Sequence, residues 1–143
     1  MLPFFLSNFI FTGTADLGVL ISGGTDGREH LQSVEIYNPA SNTTCSLNNL
    51  PVALLRHSQD GGLACGGYRR GNIERSCVKW SSDSGNWTQS HTLLQSRAHH
   101  VSWVTKYGVY LIGGSQNGNK KTTELVKEDG SVEDGFSLKY STR

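Results

Sequence analysis

Few side chains in this 143-residue sequence have the types and spacings that catalysis or metal binding requires. His99 and His100 are adjacent, but neighbours on a strand point to opposite faces, so both cannot easily bind one metal. Cys45, Cys65 and Cys77 show neither Cys-x-x-Cys spacing nor a histidine partner set, which disfavours a zinc site. We therefore predict no catalytic residue, no cofactor and no metal ligand, and a protein that is not an enzyme.

The aspartates and the glycine-rich loops have structural explanations. Five aspartates lie beside or near glycine in predicted turns, where aspartate favours the turn geometry: Asp26, Asp60, Asp83, Asp129 and Asp134. Residues 113–118 are rich in glycine, yet they lack the lysine, the hydroxyl residue and the helix that complete a phosphate-binding loop. These patterns predict neither a calcium site nor a nucleotide site.

Two cysteines fall where a disulfide could form. Cys65 ends one apolar strand-like run, and Cys77 lies near the start of the strand that should return beside it. In an antiparallel pair they would face each other within bonding distance, or else stay buried as free thiols. Cys45 has no clear mate.

The sequence contains only weak signals for the cellular location of the protein. Residues 1–15 are largely apolar and predict either an inner strand or a signal peptide, although no basic residue precedes the apolar run. Glycosylation sequons occur at Asn42 and Asn86, both beside predicted turns. Together with a disulfide, these features slightly favour an extracellular protein over a cytoplasmic one.

A repeated motif defines the elements that carry these residues. An apolar run ending in two glycines occurs three times, and the spacings between copies are 43 and 47 residues. The diglycines are Gly23-Gly24, Gly66-Gly67 and Gly113-Gly114. Repeats of this length indicate a unit stacked on copies of itself, and each unit here has strand signals instead of helical periodicity.

Further landmarks follow each diglycine in register. A short alternating segment ends thirteen residues after Gly24 at Tyr37, thirteen after Gly67 at Trp80, and twelve after Gly114 at Val126. A turn comes next, and then a second strand with a bulky residue near its start, which is Trp87 in the second unit. The pattern predicts Cys45 and Phe136 at the corresponding positions of the first and third units, and an arginine closes each unit: Arg56, Arg97 and Arg143.

On these residues the chain resembles the Kelch repeat family from about residue 8 to residue 143. The resemblance implies an all-β fold, a kelch-type β-propeller segment of about three four-stranded antiparallel blades in an incomplete ring. The units run roughly over residues 8–56, 57–97 and 98–143 of a single partial domain. Trp80 and Trp87 should be largely buried between sheets. Predicted strands cover residues 19–22, 33–37, 76–80, 101–104, 109–112 and 123–126.

Three units are fewer than the four to eight blades of a closed propeller. We consider a fragment of a longer gene product, a short form that associates to close the ring, and an isolated open stack. An open stack exposes a sheet face at each end and invites self-association.

Composition favours a protein partner over nucleic acid or membrane. Seventeen glycines suit a turn-rich β protein, and the net charge is only +1 with dispersed charges. The basic pairs Arg69-Arg70 and Lys120-Lys121 are not interleaved with aromatic residues, so nucleic acid is not favoured. The apolar amino-terminal run is too short to span a membrane as a helix.

We therefore predict a non-catalytic scaffold that binds another protein through loops after the diglycines. These loops cover residues 25–31, 68–75 and 115–121, and they are polar segments on rigid sheets. The alternative is a fragment of a secreted galactose oxidase-like or other carbohydrate-active propeller, although no position here matches that family's copper ligands.

Overall fold

The computed structural model describes residues 10–14, 18–53, 58–60, 62–81, 83–114 and 120–142. This part of the chain is all-β, with three four-stranded antiparallel sheets and one two-stranded hairpin. The strands are β1 (Ile10–Thr14), β2 (Gly18–Ser22), β3 (Val34–Asn38), β4 (Thr43–Leu47), β5 (Ser58–Asp60), β6 (Leu63–Cys65), β7 (Tyr68–Arg69), β8 (Asn72–Ile73), β9 (Ser76–Ser81), β10 (Asn86–Thr92), β11 (Val101–Thr105), β12 (Gly108–Ile112), β13 (Lys120–Val126) and β14 (Val132–Thr142).

Each four-stranded sheet corresponds to one predicted repeat, as expected for a partial β-propeller. We call them blade 1 (β1 to β4), blade 2 (β5, β6, β9 and β10) and blade 3 (β11 to β14). Within each blade, strands that are consecutive along the chain pair as neighbours, and the hairpin β7–β8 is inserted between β6 and β9 of blade 2. All six predicted strands are present, with ends that differ from the prediction by up to three residues.

Blade 2 buries a different set of apolar side chains on each of its faces, because alternate residues of a strand point to opposite sides. One face carries Ala64, Val78 and Trp87, which pack in one core cluster with Leu20 and Val34 of blade 1. The other face contributes a second cluster with blade 3, formed by Leu63, Cys65, Cys77, Leu93, Leu111 and Val126. The three blades are therefore held together by two sheet-on-sheet interfaces.

The tryptophan pair supports the first of these interfaces. Trp80 and Trp87 lie directly opposite each other on β9 and β10, with ring centroids 5.5 Å apart in an edge-to-face arrangement. The indole N–H of Trp87 donates to the Asn48 carbonyl at 3.1 Å, which ties blade 2 to the connection leaving blade 1. Trp87 is buried as predicted, whereas Trp80 is only half-buried at the edge of the cluster.

The registers correct two positions that the sequence had equated with Trp87. Trp87 lies opposite Trp80, and the residues in the same relation to Tyr37 and Val126 are Thr44 and Val132. Cys45 instead pairs with Ile36 and is exposed. Phe136 lies inside β14, which begins four residues earlier at Val132, and its side chain is 49% exposed.

Two of the five aspartates also depart from the turn prediction. Asp60 ends β5, and Asp134 lies within β14, because the third turn closes by Ser131 and not at Gly135. Asp26, Asp83 and Asp129 do lie in loops or turns. Asp129 accepts hydrogen bonds from the backbone N–H and the hydroxyl of Ser131, at 2.9 and 2.6 Å. These bonds hold the pKa of Asp129 below its usual value.

All three diglycines adopt left-handed backbone conformations, with φ between 63° and 96°. Such φ values favour glycine because a Cβ would clash with the following carbonyl. Space is also restricted at these positions. A Cβ on Gly114 would lie 2.7 Å from the backbone oxygen of Ala98. A Cβ on Gly66 would overlap the backbone oxygen of Arg97. The diglycines thus allow the connection between blades 2 and 3 to cross closely over both sheets.

The structure places the two cysteines and residues 10–14, for which the sequence left alternatives open. Cys65 and Cys77 are direct partners across β6 and β9, and they form a disulfide. Residues 10–14 form β1, which pairs with β2 along its whole length, as the inner-strand alternative predicts. Residues 1–9 lie outside the described residues, so a signal peptide there stays a prediction.

Candidate protein-binding face

The loops that follow the diglycines connect the second and third strands of each blade. Because the blades are stacked copies of one unit, equivalent loops emerge at the same end of the stack. We call this end the loop face, and we define it by residues 25–31, 68–75 and 120–121. Residues 115–119 of the third predicted loop lie outside the described residues.

The first loop is held by its own hydrogen bonds. Asp26 accepts the backbone N–H groups of Arg28 and Glu29 at 2.8 and 2.9 Å. The Thr25 hydroxyl donates to the Glu29 carbonyl at 2.7 Å. The backbone bonds to Glu29 and Arg28 hold the pKa of Asp26 below its usual value, because they stabilise the carboxylate. The loop therefore presents its exposed charged side chains from a defined conformation.

The second loop, which the sequence predicts as a polar segment, forms a short β-hairpin. Strands β7 and β8 are joined by Arg70 and Gly71, both with positive φ, as a tight type I′ turn requires. Arg69 and Arg70 are exposed at the tip. Among the described side chains, neither arginine forms an ion pair. Tyr68 packs edge-on against His99, with ring centroids 5.8 Å apart, which supports the base of the hairpin.

Both basic pairs of the sequence map to the loop face. Arg69-Arg70 forms the hairpin tip, and Lys120-Lys121 begins β13 directly after the third loop. Lys121 is exposed. Among the described side chains of these two loops, the exposed Arg69, Arg70 and Lys121 outnumber the single carboxylate of Glu74, so this part of the loop face is basic.

The connection from blade 2 to blade 3 fixes the hairpin to the sheets. Leu93 and Arg75 exchange two hydrogen bonds of 2.8 Å each, one through backbone N–H and one through the Arg75 side chain. The backbone N–H of Arg97 donates to the Glu74 carbonyl at 3.2 Å, and the N–H of Gly67 donates to the Arg97 carbonyl at 2.7 Å. The loop and the connection that supports it thus form one hydrogen-bonded unit.

The Arg97 side chain anchors this unit inside blade 3. Both Arg97 and Glu124 are fully buried, and Arg97 Nε donates to Glu124 Oε1 at 2.7 Å. The guanidinium also donates to the carbonyls of Gly113 and Thr122 and to the Thr122 hydroxyl, at 2.7 to 2.9 Å. Glu124 in turn accepts backbone N–H groups from Leu94 and Gln95. Every charged atom of the pair therefore has a partner, which buried charges require.

This buried pair is not evident from the sequence pattern, although one of its members carries a signal. An arginine closes each unit, and Arg97 is the second of the three. Glu124 lies 27 residues further along the chain on an adjacent blade, so no local pattern could join the two. The other two arginines, Arg56 and Arg143, lie outside the described residues.

The adjacent histidines are the remaining candidates for chemistry. His100 is buried and His99 is exposed, and both precede β11 instead of lying on a strand. His99 has a positive φ of 56°. In the described part of the chain, no group of three or more His, Cys, Asp or Glu residues could hold a metal ion. The described residues also include no helix with the length and apolar character needed to cross a membrane.

The sequons differ in their surroundings. Asn42 lies at an exposed turn, where its side-chain oxygen accepts the Tyr37 hydroxyl at 3.2 Å. The Asn86 amide donates to the Ser84 carbonyl at 3.2 Å and accepts from Asn48 at 2.9 Å. A glycan at Asn42 would therefore displace fewer contacts than one at Asn86.

Comparison with known proteins supports kelch-type repeats. No protein-family model matches the chain. A stretch of 107 residues is 28% identical to Kelch-like protein 21 of Danio rerio and covers 71% of this chain. The match covers 18% of that protein, so the chain corresponds to a small part of its relative. This weak and partial similarity agrees with the repeating blades of the structure.

Proposed function

We propose that this chain is a non-catalytic kelch-type scaffold that binds an acidic segment of another protein through the loop face. The observation that carries the proposal is the Arg69-Arg70 hairpin tip, which is exposed and lacks an ion pair among the described side chains. A type I′ turn and the Arg97 connection hold this tip in place, so little loop entropy is lost on binding. The similarity to a kelch-like protein supports a scaffold of this general kind.

Selection of peptides from a displayed random library tests the proposal. Peptides retained by the immobilised chain should be enriched in Asp and Glu, because charge complementarity determines much of the specificity. The variant R69E/R70E should bind the selected peptides at least about tenfold more weakly, which is about 1.4 kcal/mol. The matched control is K79E/K106E, which reverses two exposed lysines outside the loop face and should bind normally.

Two results would refute the proposal. One is a set of selected peptides with no acidic enrichment. The other is equal loss of binding in R69E/R70E and in the control, which would indicate a nonspecific effect of net charge.

We further propose that the protein works in an oxidising compartment. The Cys65–Cys77 disulfide supports this, because such bonds persist mainly in secreted and extracellular proteins. Expression through a secretory pathway should yield glycosylation at Asn42, detected as a mass increase that the variant N42Q removes. An unmodified protein would count against the extracellular location. The carbohydrate-active alternative stays a prediction.

A further inference from the structure

A pocket of about 390 Å³ opens between blades 2 and 3 at the end of the stack opposite the loop face. It lies beside the turn that joins β11 to β12 and beside the turn that follows β13. Small-molecule sites usually have volumes of about 300–1,000 Å³, so this pocket can hold a compact ligand. None of the residues that line it belongs to the loop face.

The pocket lies where blade 3 has small side chains and blade 2 has tryptophans. Trp80 and Trp87 face each other across β9 and β10, and they pack in the cluster between blades 1 and 2. Val126 and Val132 face each other at the same place in β13 and β14, and Val126 lines the pocket. Because valine is much smaller than tryptophan, the interface between blades 2 and 3 leaves open a volume that indoles fill between blades 1 and 2.

Blade 2 supplies an apolar floor and a cation at the rim. Cys77 of β9 is buried in the cluster between blades 2 and 3. Lys79 lies two residues further along the same face of β9, where it is exposed and lines the pocket. Its partner across the strands is Leu63, which is buried and also lines the pocket. The lysine therefore stands directly beside apolar surface.

The turn between β11 and β12 supplies a second cation beside an aromatic ring. The Thr105 hydroxyl donates to the Gly108 carbonyl at 3.0 Å and accepts the Tyr107 N–H at 3.1 Å. A Cβ on Gly108 would overlap the Val126 carbonyl, so the turn lies directly against β13. The Lys106 Nζ lies 5.0 Å from the centroid of the Tyr107 ring, which is 63% exposed. The turn thus presents a charge and a ring side by side from a fixed backbone.

A buried histidine holds the wall of the pocket on the side of blade 2. His91 Nε2 lies 2.9 Å from the Lys127 carbonyl, which can only accept, so this nitrogen carries the proton. His91 Nδ1 is hydrogen-bonded to the Ser90 hydroxyl. Both ring nitrogens therefore have partners, and the ring ties β10 to the turn that follows β13. This wall is formed before any ligand binds, which lowers the entropy lost on binding.

The charges of the pocket favour an anion. Lys79 and Lys106 form no ion pair with a described side chain. Lys127 also lines the pocket, but it is paired with Glu133. Among the described residues of the lining, Glu128 is the only carboxylate, and it is exposed. Two unpaired lysines therefore exceed one carboxylate, and a cleft with excess positive charge concentrates anions.

We propose that this pocket binds a small aromatic carboxylate. The ring of the ligand lies against Leu63 and the exposed ring of Tyr107, since aromatic rings favour offset or edge-on contact. The carboxylate lies at the rim, where Lys79 and Lys106 donate charge-assisted hydrogen bonds. The volume suits one or two fused rings and is too small for an extended peptide. The proposal does not depend on the proposed function, which uses the other end of the stack.

Isothermal titration calorimetry with two matched probes tests the site. The probes are 2-naphthoate and its neutral analogue 2-naphthalenemethanol. We expect one site for naphthoate, with a dissociation constant at least about tenfold lower than that of the alcohol. The variant K79M/K106M keeps the apolar stems and should bind both compounds equally, because it removes only the charges. The control R69E/R70E reverses two charges of the loop face and should keep the preference for naphthoate.

A second pair of variants and amide NMR locate the ligand. V132W gives blade 3 the tryptophan of blade 2 and should weaken both compounds at least about tenfold, because the indole would fill the pocket. The control W103A removes a 60% exposed ring from the other face of β11 and should bind both normally. In the unaltered chain, naphthoate should shift the amide signals of residues 105–108 and 126–128.

Four results would overturn the proposal. The first is equal affinity of the unaltered chain for the two compounds, and the second is a naphthoate preference that persists in K79M/K106M. The third is a loss of binding in W103A with normal binding in V132W, which would place the ligand on the outer face of blade 3. The fourth is a set of naphthoate shifts that leaves residues 105–108 unchanged, and this measurement holds even if V132W does not fold.

Discussion

The buried pair of Arg97 and Glu124 gives the sharpest test of how the blades are joined. Replacing Arg97 by Met keeps a long apolar stem but removes four hydrogen bonds from the guanidinium. Glu124 would stay fully buried with two backbone N–H donors and no counter-charge. Removing one partner of a buried pair costs about 3–5 kcal/mol. A small domain is stable by about 5–15 kcal/mol, so R97M should unfold at a much lower urea concentration.

A double-mutant cycle measured by urea unfolding separates the pair from other effects. R97M, E124M and R97M/E124M should be compared at one fixed low protein concentration by far-ultraviolet circular dichroism. The double variant should be more stable than the two single losses predict, with a coupling of about 1–3 kcal/mol. The control K127M removes the solvent-exposed ion pair with Glu133 and should leave the midpoint unchanged. A loss below about 1 kcal/mol for R97M would refute the anchoring role of this pair.

Three further predictions follow from single contacts. Gly66 and Gly85 have nearly equal φ values of 64° and 65°, but only a Cβ at Gly66 meets a backbone atom. In urea unfolding, G85A should therefore lower the free energy of unfolding by about 1–2 kcal/mol, and G66A should lower it by about 1–3 kcal/mol more. Equal losses would mean that the connection between blades 2 and 3 does not pass close to Gly66. Asp26 should titrate below the usual value of 3.8 in a side-chain NMR experiment, because two N–H groups favour its charged form. The contribution of the Asp26 carboxylate to stability is therefore present above its usual pKa, and it is lost as the pH falls through the lower pKa of the folded protein. A titration midpoint of Asp26 at or above 3.8 would contradict the loop geometry. Chain purified without reductant should contain one free thiol, that of Cys45, and a count of three would exclude the disulfide.

The sequence predicted the blades well because their main determinant is local. Each diglycine ends an apolar strand, and the spacing of 43 and 47 residues repeats the strand order of the blade. The Cys65–Cys77 disulfide was one of two alternatives. It forms only if the strand register places the two cysteines opposite each other, and the sequence alone does not determine that register. The outer strands were placed less well. Spacing along the chain predicted Cys45 and Phe136 as the equivalents of Trp87. The turns differ in length between the blades, so the strand pairing instead places Thr44 and Val132 at the positions equivalent to Trp87.

The candidate site was predicted only in outline. The sequence located the loops, since polar residues follow each diglycine, but it gave no conformation for them. The hairpin β7–β8 depends on Arg70 adopting a positive φ, which is uncommon for arginine and has no clear sequence signal. The Arg97–Glu124 pair joins residues on different blades, so only the fold brings them together. Long-range electrostatic contacts of this kind require the packed structure.

Hydrogen–deuterium exchange with and without a selected acidic peptide tests the central claim most directly. The account predicts slower exchange at residues 25–31, 68–75 and 120–121 when the peptide binds, because these segments of the loop face would form the contact surface. The turn at residues 105–108, at the opposite end of blade 3, should exchange at an unchanged rate. Protection confined to that turn, or bound peptide without protection at residues 68–75, would contradict a scaffold that binds its partner through the loop face.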